Sequence, residues 1–397
     1  MRWKYLNLHD PEDGALRAEK LAAIERWWQA FVAKAKDLQS LFTGKSEWDL
    51  PAWMHEHLGA IDPSICWEYG PAIHTKGHRL VVTPESNRGL RPLVTTLLEH
   101  APELPGWEFY PHRLPEVMEI LPGTMEARTG GDVSDVLVQV ARVGEHHVGL
   151  RFLGPRTTSD GDKQAMHDAF VAAETLLGEE WLDHWIGPIE VAPLSAAQSG
   201  DEDWPTPPMP LSRLYEAVKS TIAWIRDDLP ERPYYEWADD ASWSGFELQP
   251  EEGDDFPERM DLIALITCNQ ELAAATFRPG FHSERFSRRG ETFCYLKIDG
   301  SDGLEPGGFE DREDMEEALL AVLKPDGLGT VCGGGTGLRY SYIDLALTDV
   351  EKCIPLIQEA LRAGKIPFRT WLLFHDAYLC DEWIGIYDDT PAPPRAD

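Results

Sequence analysis

The sequence lacks the segments that would carry a chain into or across a membrane. No apolar run approaches the roughly 18 residues that a membrane span needs. The first residues, MRWKYLNLHDPEDG, contain neither an apolar stretch nor a small-residue cleavage site. Cysteine is scarce as well. The six cysteines are scattered, and none forms a CxxC pair. These absences argue against a secretory route, and we expect a cytoplasmic protein.

Positive charge is also in short supply. The chain has 36 basic residues against 69 acidic ones, which gives a formal net charge of −33. Such a negative field repels phosphate groups, so it disfavours nucleic acids and anionic membranes as partners. It favours a basic protein as a partner, although the simpler interpretation is that acidity only keeps the chain in solution.

The common catalytic and cofactor motifs are missing. HExxH, GxSxG, the phosphate-loop pattern GxxxxGK[ST] and the EF-hand spacing do not occur. His55 and His57 are two residues apart and would face different sides of a helix. His146 and His147 fall at a predicted hairpin tip, where exposure to solvent is the simplest expectation. We therefore expect no metal and no cofactor.

Glycine, by contrast, is concentrated in one stretch, VCGGGTGLRYSYIDL at residues 331–345. A phosphate-binding loop needs a helix after its glycines. Here Ile343, Leu345 and Leu347 recur at every second residue, which is the period of a strand. We therefore predict a wide hairpin in which Gly333–Gly335 and Gly337 adopt positive φ.

Hydrophobic periodicity predicts a long amphipathic helix near the start of the chain. Apolar residues spaced three and four apart run through residues 15–43, and acidic residues precede them. Alternating valines and leucines flank residues 144–147 and predict a β-hairpin there. A second amphipathic helix is predicted to open at Leu211.

A proline-rich, acidic segment at residues 196–210 predicts a division of the chain. Its four prolines prevent a helix from continuing, so we interpret it as a linker. We predict an N-terminal α+β domain over residues 1–195, a C-terminal α+β domain over residues 211–388 and a flexible tail over residues 389–397.

The two predicted domains share a short closing motif, D-x-W-I-G, at residues 183–187 and 381–385. The motif suggests an old duplication and predicts that Trp185 and Trp383 occupy equivalent buried strand positions. Strands that return through hairpins between helices predict an α+β fold, with two ferredoxin-like-type sandwiches that are each preceded by an amphipathic helix.

One basic island interrupts the acidic chain at residues 278–289, and its arginines are Arg278, Arg285, Arg288 and Arg289. Arginines beside two phenylalanines would suit an anionic or acidic ligand. The alternative is that they pair internally with the acidic segments at residues 251–255 or 311–314.

The stretches TGLRYSYID (residues 336–344) and DEWIG (residues 381–385) resemble small bacterial α+β domains of unknown function related to the ribonuclease E inhibitor B superfamily. The resemblance covers roughly the last third of the chain, with a weaker echo at residues 134–190. Members of that superfamily are acidic ferredoxin-like modules that bind proteins, so the resemblance implies a binding or regulatory role. No functional residue carries over, and ribonuclease inhibition is not inferred.

Two functions remain open on the sequence. The first is a non-enzymatic binding protein, of the inhibitor or immunity kind, that uses its acidic surface against a basic protein. The second is an enzyme, most simply a hydrolase, whose carboxylates meet between the two halves of the chain. A pocket in which acids and bases converge would favour the enzyme, and an acidic surface carrying aromatic side chains would favour the binding protein.

Overall fold

Three β-sheets, each packed against helices, form the described part of the chain, so the mixed α+β class is confirmed. The structure is a computed structural model, and it describes residues 1–42, 48–155, 157, 162–196, 203–253 and 255–395. Residues 197–202 of the predicted linker lie outside the described residues. None of the described helices is long and apolar enough to cross a membrane.

The first sheet has three strands, with β2 in the centre, antiparallel to β1 and parallel to β3. The predicted helix over residues 15–43 is confirmed as α1, which begins earlier because proline is well suited to a first helical turn. Its apolar face, with Trp27, Trp28 and Phe31, packs in the core of this sheet. The elements are α1 (Pro11–Phe42), α2 (Leu50–His57), β1 (Cys66–Pro71), β2 (His78–Thr83), α3 (Arg91–Glu99) and β3 (Trp107–Tyr110).

The second sheet has four strands in the order β6-β5-β4-β7. The hairpin predicted around residues 144–147 is confirmed, because β4 and β5 pair antiparallel on either side of it. Strand β6 pairs parallel to β5 after the crossover through α5 and α6. The elements are α4 (Leu121–Arg128), β4 (Leu137–Val143), β5 (His147–Gly154), α5 (Lys163–Leu177), α6 (Glu179–His184), β6 (Ile186–Pro193), β7 (Met209–Pro210) and α7 (Leu214–Asp228).

Residues 203–210 of the predicted linker pack against the second sheet. Trp204 is buried, the Thr206 hydroxyl donates a hydrogen bond of 2.7 Å to the Val140 carbonyl, and β7 pairs with the edge of β4. Helix α7 shares one hydrophobic core with residues 121–191. The helix predicted to open the C-terminal domain thus packs on the second sheet, and the division of the chain at residues 196–210 stays a prediction.

The third sheet has seven antiparallel strands in the order β14-β13-β10-β12-β11-β9-β8. Helices α10 and α11 cover one face, where Leu319, Ile343 and Ile357 share a core. The elements are α8 (Tyr234–Asp240), β8 (Ser244–Glu247), β9 (Leu262–Thr267), α9 (Gln270–Ala275), β10 (Thr292–Asp299), α10 (Arg312–Leu323), β11 (Gly329–Gly337), β12 (Tyr340–Leu347), α11 (Val350–Ala363), β13 (Thr370–Phe374) and β14 (Trp383–Gly385).

The glycine-rich stretch is part of strand β11, so the prediction that these glycines form the turn of a hairpin is wrong. None of Gly333–Gly335 or Gly337 has positive φ, and the turn to β12 comes after them. Their small size instead allows close approach by strand β9 and the residue that precedes it. A Cβ on Gly335 would lie 2.4 Å from the Leu262 Cδ2 atom, and a Cβ on Gly337 would lie 2.2 Å from the Asp261 Oδ2 atom.

The sheet face that carries Gly335 is polar and aromatic. Lys297 is fully buried there, and its ammonium lies 4.1 Å from the centre of the Tyr340 ring. The ammonium donates hydrogen bonds to the carbonyls of Phe256 and, at 3.0 Å, Glu258, which belong to the chain segment covering this face. A buried charge is thus held by main-chain acceptors.

The two copies of the D-x-W-I-G motif do not occupy equivalent positions. Trp185 follows α6 and is 1% exposed, whereas Trp383 lies within β14 and is half-buried under the Arg2 guanidinium, 3.7 Å from the ring centre. Strand β6 pairs parallel to its neighbour, but β14 pairs antiparallel. The prediction of equivalent tryptophans is therefore wrong.

The described part of the predicted tail makes contacts with the third sheet. Thr390 is buried, and the Pro391 carbonyl accepts a hydrogen bond of 2.6 Å from the Trp371 indole. These contacts hold the segment after β14 against β13.

Candidate functional site

The four arginines of the basic island do not converge on one site. Arg285 is buried, Arg288 and Arg289 reach towards the end of α7, and Arg278 is exposed. The hydrogen-bond acceptors of Arg285, Arg288 and Arg289 are the His147 ring and the carbonyls of Gly280, Asp227 and Glu231. The described hydrogen bonds of these three arginines are therefore internal, and they are made mainly to main-chain oxygens rather than to the acidic segments at 251–255 or 311–314.

The predicted hairpin tip is half-buried, contrary to our expectation of exposure. The His146 ring packs on Phe286, with ring centres 4.1 Å apart, and His147 accepts a hydrogen bond from Arg285. Burial lowers the pKa of each histidine to about 4. Both imidazoles are therefore neutral at pH 7. Through them the tip of the β4–β5 hairpin contacts the third sheet region, where a sheet region means one sheet together with its helices and loops.

A cleft of about 530 Å³ opens beside this tip, between the second and third sheets. Its size lies within the range of roughly 300–1,000 Å³ that is usual for ligand sites. Its walls come from the β4–β5 turn, the end of α7, α8 and the start of α9. We call it the acidic cleft, because three of its lining residues are carboxylates, Glu145, Asp228 and Glu271. Its other lining residues include Arg142, His146 and Trp237.

The charges around the acidic cleft do not balance. Arg142 forms ion pairs with Glu145, at 2.7 Å, and with Asp228, and more than half of each carboxylate side chain is exposed. Glu271 is exposed in the first turn of α9 and has no ion-pair partner among the residues that the structure describes. Three carboxylates thus face one guanidinium, which leaves the cleft net negative.

Trp237 adds an aromatic ring to the wall of the acidic cleft, and two exposed tryptophans lie near its lining residues in space or in sequence. Trp237 forms part of the wall and packs against Tyr234, with ring centres 5.0 Å apart. Trp224 is 56% exposed beside Arg142, and Trp243 is 44% exposed next to the lining residue Ser242. Because the faces of aromatic rings attract cations, the Trp237 ring adds to the attraction that the carboxylates exert on a cation.

A second group of polar residues lies where all three sheet regions meet. We call it the junction cluster, and its members are Asp183, His184, His282, Glu284 and Asp376. The first two close helix α6, and the others precede or belong to the short helical turns Ser283–Arg285 and Ala377–Leu379. Residues that are about 100 or 190 positions apart in sequence are thereby placed together.

Local sequence explains how α6 presents its end to the junction. Gly178 ends α5 with a φ of +77°, a value that L side chains rarely adopt, and so allows the chain to turn into α6. Glu179 then anchors the first turn of α6, because its buried carboxylate accepts hydrogen bonds from Thr83, at 2.6 Å, and from Arg91. The anchor connects α6 to the first sheet region.

Hydrogen bonds fix the side chains of the junction cluster. Glu284 lies 2.6 Å from Nδ1 of His184 and accepts a hydrogen bond of 3.1 Å from Arg226. Asp376 accepts hydrogen bonds from the amide, at 2.6 Å, and the hydroxyl of Ser283. Burial raises the pKa of Asp376 to about 6. These hydrogen bonds fix Ser283, the residue that follows His282.

Sequence reasoning did not identify either site. Asp183 and His184 belong to the D-x-W-I-G segment, and His282 belongs to the basic island, but neither segment by itself has the spacing of a metal or catalytic motif. The spacing between them carries no metal or catalytic pattern, because they come from different sheet regions. From the sequence, Glu271 could be recognised only as an acidic residue at the start of a helix, which does not indicate a binding site.

No family model, curated protein or solved structure matches the chain.

Proposed function

We propose that this chain is a non-enzymatic binding protein whose acidic cleft receives a basic segment of a partner protein. The observation that carries the proposal is the unbalanced charge of the cleft, in which Glu145, Asp228 and Glu271 face the single guanidinium of Arg142. A lysine or arginine side chain would neutralise a carboxylate there and place its cation beside an aromatic ring.

The charge of the whole chain supports the same class of partner. A net charge of −33 attracts basic surfaces and speeds their encounter with the protein. The cleft then supplies what overall charge lacks, which is a defined place for one or two side chains. Trp237 in the wall adds apolar contact to the stem of a lysine or arginine.

The test uses the full chain and a fluorescein-labelled oligolysine peptide, with binding measured by fluorescence anisotropy. Glu271→Lys should weaken binding about tenfold, because it removes one attractive charge and adds a repulsive one, roughly 1.4 kcal/mol. The matched control is Glu19→Lys, the same change at an exposed position on α1. Because it lies on the helix of the first sheet, it should change binding only through net charge.

Salt provides a second arm of the test. Raising the salt concentration from low values to roughly 0.5 M should slow association strongly and change dissociation less, since exposed charges are screened within a Debye length of about 8 Å at physiological salt. Equal losses in Glu271→Lys and Glu19→Lys would show that net charge alone attracts the peptide. That result would refute the cleft as the binding site.

The hydrolase that the sequence left open has one observation in its favour. Asp183 comes from the first half of the chain, Glu284 and Asp376 come from the second, and the fold brings them together. A panel of chromogenic esters and phosphoesters tests this alternative, with Asp183→Asn as the control. Turnover that this substitution removes would favour the hydrolase over the binding protein.

A further inference from the structure

The junction cluster contains a set of side chains suited to a metal ion. Within the described parts of the chain, Asp183, His184 and His282 each offer one ligand atom, and these atoms lie within 4.8 Å of one another. We propose that Asp183, His184 and His282 form a binding site for a divalent first-row transition metal such as Zn²⁺. The proposal is independent of the acidic cleft.

The state of His282 is the observation that points to a ligand. Its side chain is 2% exposed, and its Nε2 atom has no hydrogen-bond partner among the described residues. Buried polar atoms are nearly always bonded, and an orphaned one calls for an explanation. The Nε2 atom lies 3.8 Å from the Asp183 Oδ2 atom.

Glu284 is placed to support the second histidine. It lies 2.6 Å from Nδ1 of His184, which keeps that nitrogen protonated and leaves Nε2 for the metal. A carboxylate that orients a ligating histidine in this way is a usual companion of zinc sites. Arg226 holds the other oxygen of Glu284 at 3.1 Å, so the supporting carboxylate is itself fixed.

The third ligand is shared with an arginine. Arg88 donates a hydrogen bond of 2.6 Å to the Asp183 Oδ1 atom, which leaves Oδ2 for the metal. Two donors that each lie about 2.1 Å from a tetrahedral metal are about 3.4 Å apart. The separation of 3.8 Å between His282 and Asp183 thus needs only a small contraction. The Arg88 charge opposes the ion and should reduce its affinity.

The donor set selects the class of metal. Imidazole nitrogens suit Zn²⁺, Co²⁺, Ni²⁺ and Fe²⁺, whereas Mg²⁺ and Ca²⁺ prefer a shell of oxygen atoms. Three protein ligands also leave at least one coordination position for water or another small ligand. A metal here would join the end of α6 to the loop that precedes Ser283, and so connect the second and third sheet regions.

The test measures binding of Zn²⁺ by calorimetry and of Co²⁺ by visible absorption to the full, untagged chain after treatment with a chelator. We expect one ion per chain. His282→Ala should abolish binding at concentrations that saturate the parent, and Glu284→Gln should weaken it about 10–100-fold. His100→Ala changes an exposed histidine on the first sheet region and is the matched control, which should bind as the parent does.

Circular dichroism would establish that each variant is folded. If His282→Ala does not fold, Asp183→Asn replaces it, because this side chain is partly exposed and the amide keeps its shape. Three results would overturn the proposal. They are no binding by the folded parent, binding that survives in both His282→Ala and Asp183→Asn, and a thiolate charge-transfer band that assigns Co²⁺ to a cysteine.

Discussion

Replacing Gly335 by alanine tests why strand β11 is rich in glycine. The backbone of Gly335 does not have positive φ, so alanine causes no strain in the main chain. The loss of stability comes from contacts with the neighbouring strand β9. The new Cβ would lie 2.4 Å from the Leu262 Cδ2 atom and 2.9 Å from the Ala264 carbonyl oxygen. Real Cβ contacts are essentially never shorter than 3.0 Å, so at least one neighbour has to move.

The magnitude follows from what each neighbour can do. The Leu262 methyl group can move away if its side chain leaves its preferred rotamer, at about 0.5–1.5 kcal/mol. The Ala264 oxygen belongs to strand β9, which pairs with β11, so it moves only if the two strands shift. Together these terms give a loss of about 1–3 kcal/mol in the free energy of unfolding, as usual for overpacking.

Urea unfolding followed by tryptophan fluorescence measures this loss. The matched control is Gly14→Ala, where nothing lies within 4 Å of the added Cβ. Gly14 is in α1, so the control should stabilise the chain by up to about 1 kcal/mol through helix propensity. If Gly335→Ala is as stable as the parent, close approach is not the reason for the glycines, and our account of β11 is refuted.

Three other predictions follow from the packing. Trp185→Ala should cost about 3–5 kcal/mol, and Trp383→Ala clearly less because that ring is half-buried; equal shifts in the urea midpoint would contradict this. Burial lowers the pKa of Lys297 from 10.5 to about 8, so the unfolded chain binds more protons in between and stability should rise by about 2–3 kcal/mol from pH 8 to pH 10. Lys297→Met should lack that rise in unfolding measured across pH, and an equal rise in both proteins would contradict it. Proteolysis within residues 196–210 should give fragments that stay together in gel filtration, because α7 shares its core with residues 121–191; separate elution would contradict it.

Several features of this protein could be predicted because they depend on neighbours in sequence. The apolar spacing in residues 15–43 predicted α1, and alternation on both sides of residues 144–147 predicted the β4–β5 hairpin. The mixed α+β class follows from such elements taken together. Each rests on a repeat of 3.6 or 2 residues, which can be recognised without knowing what the element packs against.

Other features were decided by contacts between distant parts of the chain. Gly335 was predicted to lie in a turn because glycine permits positive φ, yet β9 and β12 pair on either side of β11 and make it a central strand. Trp185 and Trp383 share a motif, but one is enclosed by the second sheet region and the other meets the Arg2 guanidinium.

The sites depend on tertiary structure in the same way. Sequence composition alone established the excess of acidic residues, and with it the class of partner that we propose. Tertiary packing decided that three of these acidic residues, Glu145, Asp228 and Glu271, line one cleft. Asp183 and His282 are 99 positions apart in sequence, and only the packing of α6 against the third sheet region brings them within 3.8 Å. The physical reason is that local periodicity specifies an element, whereas a site is specified by which elements share a buried surface.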